Sequence, residues 1–323
     1  MRSYIDFHCD TLSVAARNGE EDIFSLPEQK IDIGRLHAAN VMAQFFAIFF
    51  PEYNDEFVRK YGSNEDYFTM CYKLFRNSME KHPDLIRQAG CAGDILSNHE
   101  KGIVSAFLTL EDGRIIDGKM ENFQKYYNMG IRLITLTWNY ENCFGYPNSD
   151  NSEEMKKGLK PFGIEAVSEM NRLGILIDVS HLSDGGFYDV ARYSRKPFIA
   201  SHSNCRALSP HQRNLTDDMI RVLAEHGGVA GLNFAGDFLN EDTDDIHSRV
   251  ERMAAHISYL TDLGGEDIVA IGTDFDGINS ILEIKGPENM DVLFDALKKA
   301  GFTERQIDKI AFGNAQRIIN EVL

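Results

Sequence analysis

Little in the chain suits secretion, membrane insertion or nucleic-acid binding. Among 323 residues there are five cysteines, Cys9, Cys71, Cys91, Cys143 and Cys205. Their odd number and the lack of any CxxC pair argue for reduced packing thiols, and against both a disulfide framework and a cysteine-held zinc. Eight prolines are spread thinly and no Ser/Gly-rich stretch reads as a linker, so residues 1–323 are expected to form a single compact domain. Basic charge is scarce. Lys and Arg number 33 against 50 Asp and Glu, a net charge of −17, which repels phosphate backbones and anionic lipid and excludes nucleic acid as an expected partner. Long apolar runs are missing too. The most apolar, 41–50, spans ten residues and is too short to cross a bilayer as a helix. A polar motif begins where a signal peptide needs its apolar region, and the C-terminus has no apolar tail, so a cytoplasmic protein without a membrane anchor is expected.

What is present is alternation. Short apolar runs at 4–9, 41–50, 103–110, 131–137, 175–179, 198–201, 228–233 and 268–272 read as eight strands. Between and after them lie amphipathic stretches at 65–88, 120–128, 162–173, 185–193, 217–225, 245–263, 289–300 and 304–322. Ser183 and Thr216 stand where N-caps belong, and Gly174, Gly227 and Gly264 where helices close. Strand runs that are continuously apolar are buried on both faces, so the fold class expected is α/β, a (β/α)8 TIM barrel.

The polar residues fall at the ends of these runs. Strand one ends in His8-Cys9-Asp10, strand three in Glu111-Asp112, strand five in Ser180-His181, strand six in Ser201-His202-Ser203 and strand eight in Thr273-Asp274. Parallel barrel strands present these ends to one mouth, where barrel active sites lie. His8 and Asp10 are two apart and point to the same side, with Cys9 facing the helices. Imidazole and carboxylate suit zinc, and Glu111 can bridge two ions, with His181 and His202 completing the second. Such a pair activates a bridging hydroxide and leaves Asp274 free to shuttle protons, so Glu111 and Asp274 are the catalytic candidates. Taken singly, each group has a plain structural role open to it: a packed histidine, a helix cap at Glu111, or a turn of Asp274 with Asp276 and Gly277. Burying all five ligands together without a cation is costly, which favours the metal. His37, His82, His99, His211, His226, His247 and His256 are expected at the surface. Arg206 and Arg213 share the loop after strand six, and either can clamp a carboxylate.

Asp6-Phe7-His8-Cys9-Asp10-Thr11, Ile177-Asp178-Val179-Ser180-His181, Ser201-His202-Ser203-Asn204 and Gly272-Thr273-Asp274-Phe275-Asp276-Gly277 together resemble the membrane (renal) dipeptidase family, peptidase family M19. The resemblance implies two zinc ions, one on His8, Asp10 and Glu111 and one on Glu111, His181 and His202. It also implies an acid/base role for Asp274 and places Arg213, in Gln212-Arg213-Asn214, on the substrate's terminal carboxylate. Family members hydrolyse dipeptides, accept a D-residue at the C-terminal position and are often homodimers. Two positions depart from the pattern: Trp138 or Asn139 stands where the mammalian branch has a substrate-contacting histidine, and Asp112-Gly113 replaces Gly-Gly. A zinc dipeptidase is therefore the first reading. A barrel acting on another small amide or lactone, and a non-catalytic metal-binding barrel, are the alternatives.

Overall fold

A computed structural model describes residues 1–323. Eight parallel strands close into a barrel: β1 (Ile5–Cys9), β2 (Ala43–Phe49), β3 (Val104–Glu111), β4 (Ile131–Thr135), β5 (Leu176–Asp178), β6 (Ile199–Ala200), β7 (Val229–Leu232) and β8 (Val269–Ile271). Each pairs with the next in chain order, and β8 returns to β1 with Ile271 opposite Asp6. The fold class read from the alternation holds, each strand lying within its apolar run or one residue beyond it.

Inside the barrel, Phe7, Phe45, Phe107, Leu133, Leu176, Ile199, Val229 and Ala270 form an apolar plug, one residue from each strand, with the Phe45 ring stacked 4.5 Å from Phe107. The C-terminal helix Asn314–Val322 closes this end with Ala315, Ile318, Ile319 and Val322. Two residues further along several strands the interior turns small and polar, at Thr109, Thr135, Asp178 and Ser201, all buried. Gly231 and Gly272 complete that layer because nothing larger fits: a Cβ at either would meet the Ser201 carbonyl oxygen at 1.9 or 1.8 Å.

On β1, Asp6 pairs with Gln44 and Cys9 with Phe46, so one extra residue is accommodated between them. This bulge lets Phe7 enter the plug while His8, the next residue, also faces inward and Cys9 packs outside against the helices. Strict alternation cannot serve both Phe7 and His8.

Several boundaries differ from the sequence expectations. The 65–88 helix runs from Asn64 to Lys81 and is followed by a strand, Ile86–Gln88, on the β3 edge before β4 begins. Pro83 explains the stop, since it disfavours helix at the residue before it and has no N–H to donate. The 245–263 stretch becomes helical only at Val250, because His247–Ser248 pairs with Ile281–Leu282. The 304–322 helix carries a π-turn at Lys309–Gly313. Helices Asp55–Tyr61 and Ala92–His99 had no expectation. Ser183 and Thr216 cap as expected, whereas Gly265, not Gly264, supplies the left-handed closing residue. His256 is fully buried instead of at the surface, joining the Cys205 N–H to the Leu239 carbonyl. No helix is long and apolar enough to cross a membrane.

Candidate metal centre

The barrel mouth gathers the strand-end residues. His8 and Asp10 come from β1 and the residue after it, Glu111 from the end of β3, and His181, His202 and Asp274 from the turns after β5, β6 and β8. Ten or fewer per cent of each ligand side chain is exposed. Glu111 stands at the centre. Its Oε2 is 3.3 Å from His8 Nε2, and its Oε1 is 3.1 Å from His181 Nε2 and 3.6 Å from His202 Nε2. On the first side, His8 Nε2 also faces Asp10 Oδ2 at 3.6 Å and Asp274 Oδ1 at 3.8 Å. All five expected ligands therefore converge, split between the two oxygens of one carboxylate. Asp274 comes closer to the first group than expected, its ligand atom lying with those of His8 and Asp10 inside a 4.8 Å cluster.

The hydrogen bonding shows what such a cluster needs. His181 Nδ1 is 3.0 Å from Asn139 Oδ1, an acceptor, so that nitrogen carries the proton. The Ser201 hydroxyl donates to Asp178 Oδ2 at 2.6 Å, leaving its oxygen to accept from His202 Nδ1, also at 2.6 Å. Both imidazoles thus direct bare Nε2 lone pairs at each other, 3.1 Å apart, and at Glu111. Three acceptors facing one another are mutually repulsive unless a cation lies between them. On the other side, His8 Nε2, Asp10 Oδ1 and Glu111 Oε2 are buried without any hydrogen-bond partner. The N/O donor set fits a borderline divalent ion at each position.

Without a cation, burial acts against the charges of these groups. Burial, reinforced by Asp10, pushes the Glu111 carboxyl well above the carboxylate range, and burial does the same to Asp274, with Asp10 adding to it. Burial pushes His181 and His202 down, keeping them neutral, with Arg213 and His8 contributing. Burial opposes the charge on His8, but Glu111 and Asp10 outweigh it and raise its pKa.

A cavity of about 410 Å³ opens over the cluster, lined among others by Asp10, Glu111, Trp138, Asn139, His181, Phe238 and Asp274. Trp138 stacks edge-on to Phe49 at 4.8 Å and lies 6.3 Å from His181. Arg213 is buried behind the histidines, donating to Ser203 Oγ at 2.9 Å and to the His202 carbonyl at 3.2 Å, while its Nε has no partner. Arg206 is committed to Asp184 in a two-pronged ion pair, so of the two arginines only Arg213 is bonded to a residue of the cluster, through the His202 carbonyl.

The sequence profile of the family Membrane dipeptidase (Peptidase family M19) matches residues 2–323. The chain belongs to peptidase family M19. It is 34% identical to an uncharacterised protein from the pqqA 5′ region of Klebsiella pneumoniae, over 72% of this chain and 87% of that one. Among solved structures it is similar to a dipeptidase of M19, at 28% identity and TM-score 0.90, covering 99% of this chain and 98% of the other. A metallo peptidase from Rhodobacter sphaeroides, liganded with a phosphinate mimic of the dipeptide L-Ala-D-Ala, matches at 27% identity and TM-score 0.89, over 99% of both chains.

In this M19 chain some supporting residues escaped the sequence reading. Asn233 donates to Asp274 Oδ2 at 2.8 Å and turns Oδ1 toward the cluster. It is the polar end of the seventh apolar run, the same signal that marked the candidate ligands. Gly277 is required by crowding, since a Cβ there would meet Asp10 Oδ2 at 2.0 Å and Asp274 Oδ1 at 2.4 Å. Asp178 gathers four donors, from Thr135 Oγ1, Ser180 N, Ser201 N and Ser201 Oγ, and Asp6 similarly fixes Thr273, one residue before Asp274.

Proposed function

We propose that the protein is a zinc-dependent dipeptidase that binds two ions per chain and cleaves L-L and L-D dipeptides. The observation that carries this reading is the set of opposed, partnerless acceptor atoms around Glu111. His8, Asp10 and Glu111 would hold one ion, and Glu111, His181 and His202 the other. Bound there, the pair supplies an activated water and a Lewis-acid contact for the scissile carbonyl. Asp274 takes a proton at Oδ1 and returns it to the leaving amine, a role suited by its raised pKa and by the Asn233 bond that fixes its other oxygen. Arg213 holds the substrate's terminal carboxylate. Trp138 walls the cavity, and Asn139, besides lining it, orients His181. We place the enzyme in the cytoplasm, in keeping with its five unpaired cysteines.

The test is hydrolysis of L-L and L-D dipeptides by protein stripped with a chelator and reloaded with zinc. Turnover should require the metal, disappear when the dipeptide's C-terminal carboxylate is amidated, and fall about 10²- to 10⁴-fold in Asp274→Asn without loss of bound zinc. A zinc-loaded protein inert toward every dipeptide would remove the substrate assignment.

A further inference from the structure

The cavity has one cation among its lining side chains, and the proposed reaction does not use it. Arg17 ends the helix Thr11–Arg17 that follows β1 and lines the cavity together with Asp10, Glu111, His181 and Asp274. It is half-buried, and it makes no hydrogen bond or ion pair within the protein. Its guanidinium carbon lies 5.7 Å from the Phe49 ring centroid. Phe49 in turn packs on Trp138, and Trp138 faces His181. A guanidinium held over a ring keeps its N–H edge available as a planar donor fork, the geometry that matches a carboxylate.

Its position relative to Arg213 is informative. Arg213 backs His202, and its guanidinium carbon is 5.6 Å from the Phe238 ring, which lines the cavity elsewhere. Phe238 and Phe49 both line the cavity, Phe238 beside Arg213 and Phe49 beside Arg17. With the C-terminal carboxylate of a dipeptide at Arg213 and the peptide bond over Glu111, Arg17 is the lining cation left for the N-terminal residue. The other charged lining groups are all acids: Asp10, Glu111, Asp237, Asp274 and Asp276. Arg17 is therefore the one lining side chain that can pair with a negative substrate side chain.

We propose that Arg17 is a specificity-determining residue that pairs with the side-chain carboxylate of the substrate's first residue, so that the enzyme prefers dipeptides beginning with Asp or Glu. This rests on the dipeptidase reading and on Arg213 at the other end. The test compares kcat/KM for L-Glu-L-Ala and L-Gln-L-Ala, which differ only in that charge. The wild type should favour Glu by about 10- to 100-fold, the range of one charge-assisted hydrogen-bonded pair. In Arg17→Ala the Glu/Gln ratio should fall to about one, and Arg17→Glu should shift the preference to L-Lys-L-Ala. Calorimetric binding of the free products, with L-glutamate tighter than L-glutamine in the wild type and equal in Arg17→Ala, gives a readout independent of turnover. Dipeptide hydrolysis with a Glu/Gln ratio near one in the wild type, or a ratio unaltered by Arg17→Ala, overturns the role of Arg17 and leaves the dipeptidase reading standing. Failure to cleave any dipeptide overturns both.

Discussion

Removing one oxygen atom tests whether the layer beneath the metal centre sets the state of its histidines. Ser201 Oγ lies 2.6 Å from both His202 Nδ1 and Asp178 Oδ2. It relays the carboxylate's pull to the imidazole and fixes the tautomer with Nε2 bare. In Ser201→Ala that buried Nδ1–H loses its acceptor at a cost of about 1–3 kcal/mol. The imidazole can then move its proton to Nε2, where Glu111 and His181 offer acceptors in place of an ion. Second-layer losses of this kind weaken metal affinity by about 10- to 100-fold. The weakening should be confined to the ion on His181 and His202, because the groups facing His8 and Asp10 are untouched. With about 2.1 cal/mol/K of unfolding entropy for each of 323 residues, the destabilisation lowers Tm by about 1.5–4.5 °C. Zinc titration against a competing chromophoric chelator resolves the two ions. A variant with the lowered Tm but both affinities intact would show that Ser201 only packs the barrel, refuting the tautomer argument.

Two further substitutions probe the site and its support. Gly277→Ala places a methyl group against Asp10 Oδ2 and Asp274 Oδ1, so the ion on His8 and Asp10 should be lost first, as counted by elemental analysis of the purified variant. His256 accepts from the Cys205 N–H at Nδ1 and donates from Nε2 to Leu239, and burial pushes its pKa down to about 4. Protonation would set two N–H groups face to face. The unfolded chain therefore binds this proton more readily, and stability should fall by about 3 kcal/mol as pH drops from about 6.5 to about 4. Urea unfolding across that range should show the loss, and His256→Leu, less stable at pH 7, should show a shallower decline.

The barrel and its candidate metal ligands were legible because a strand buried on both faces makes a polar residue at its end conspicuous. His8, Glu111, His181, His202 and Asp274 all announce themselves in this way, and so does Asn233. His256 was also within reach, three residues after Met253 and four before Leu260 on the buried face of its helix. Pro83 marked the end of the helix that begins at Asn64. Other features depend on contacts between distant segments. The β1 bulge that turns Phe7 and His8 inward follows from pairing with β2, and the meeting of Arg17 with Phe49 and Trp138 joins three separate stretches of chain. No local pattern encodes the spacing of the Glu111 oxygens from three imidazoles.

The backbone at the mouth has a cost that bears on how the chain can change. Outside glycine, positive φ occurs at Asn40, Asp112, Asp117, His181, Asp274 and Asp276. Five of these are Asn or Asp, the residues that tolerate the left-handed region best, and His181 is the sixth. At about 1 kcal/mol or more for each, the four at the mouth, Asp112, His181, Asp274 and Asp276, withhold several kcal/mol from the net stability. Glycine would release that energy at every one of them, and at His181 and Asp274 it would also delete a side chain of the metal cluster. Mutational drift that rewards sturdiness alone will therefore keep producing glycine at these two positions, yielding barrels with a less strained backbone and an incomplete candidate site. The presence of His181 and Asp274 in the left-handed region, where strain favours glycine, points to work done by their side chains, and it can be read from the backbone angles of a single chain.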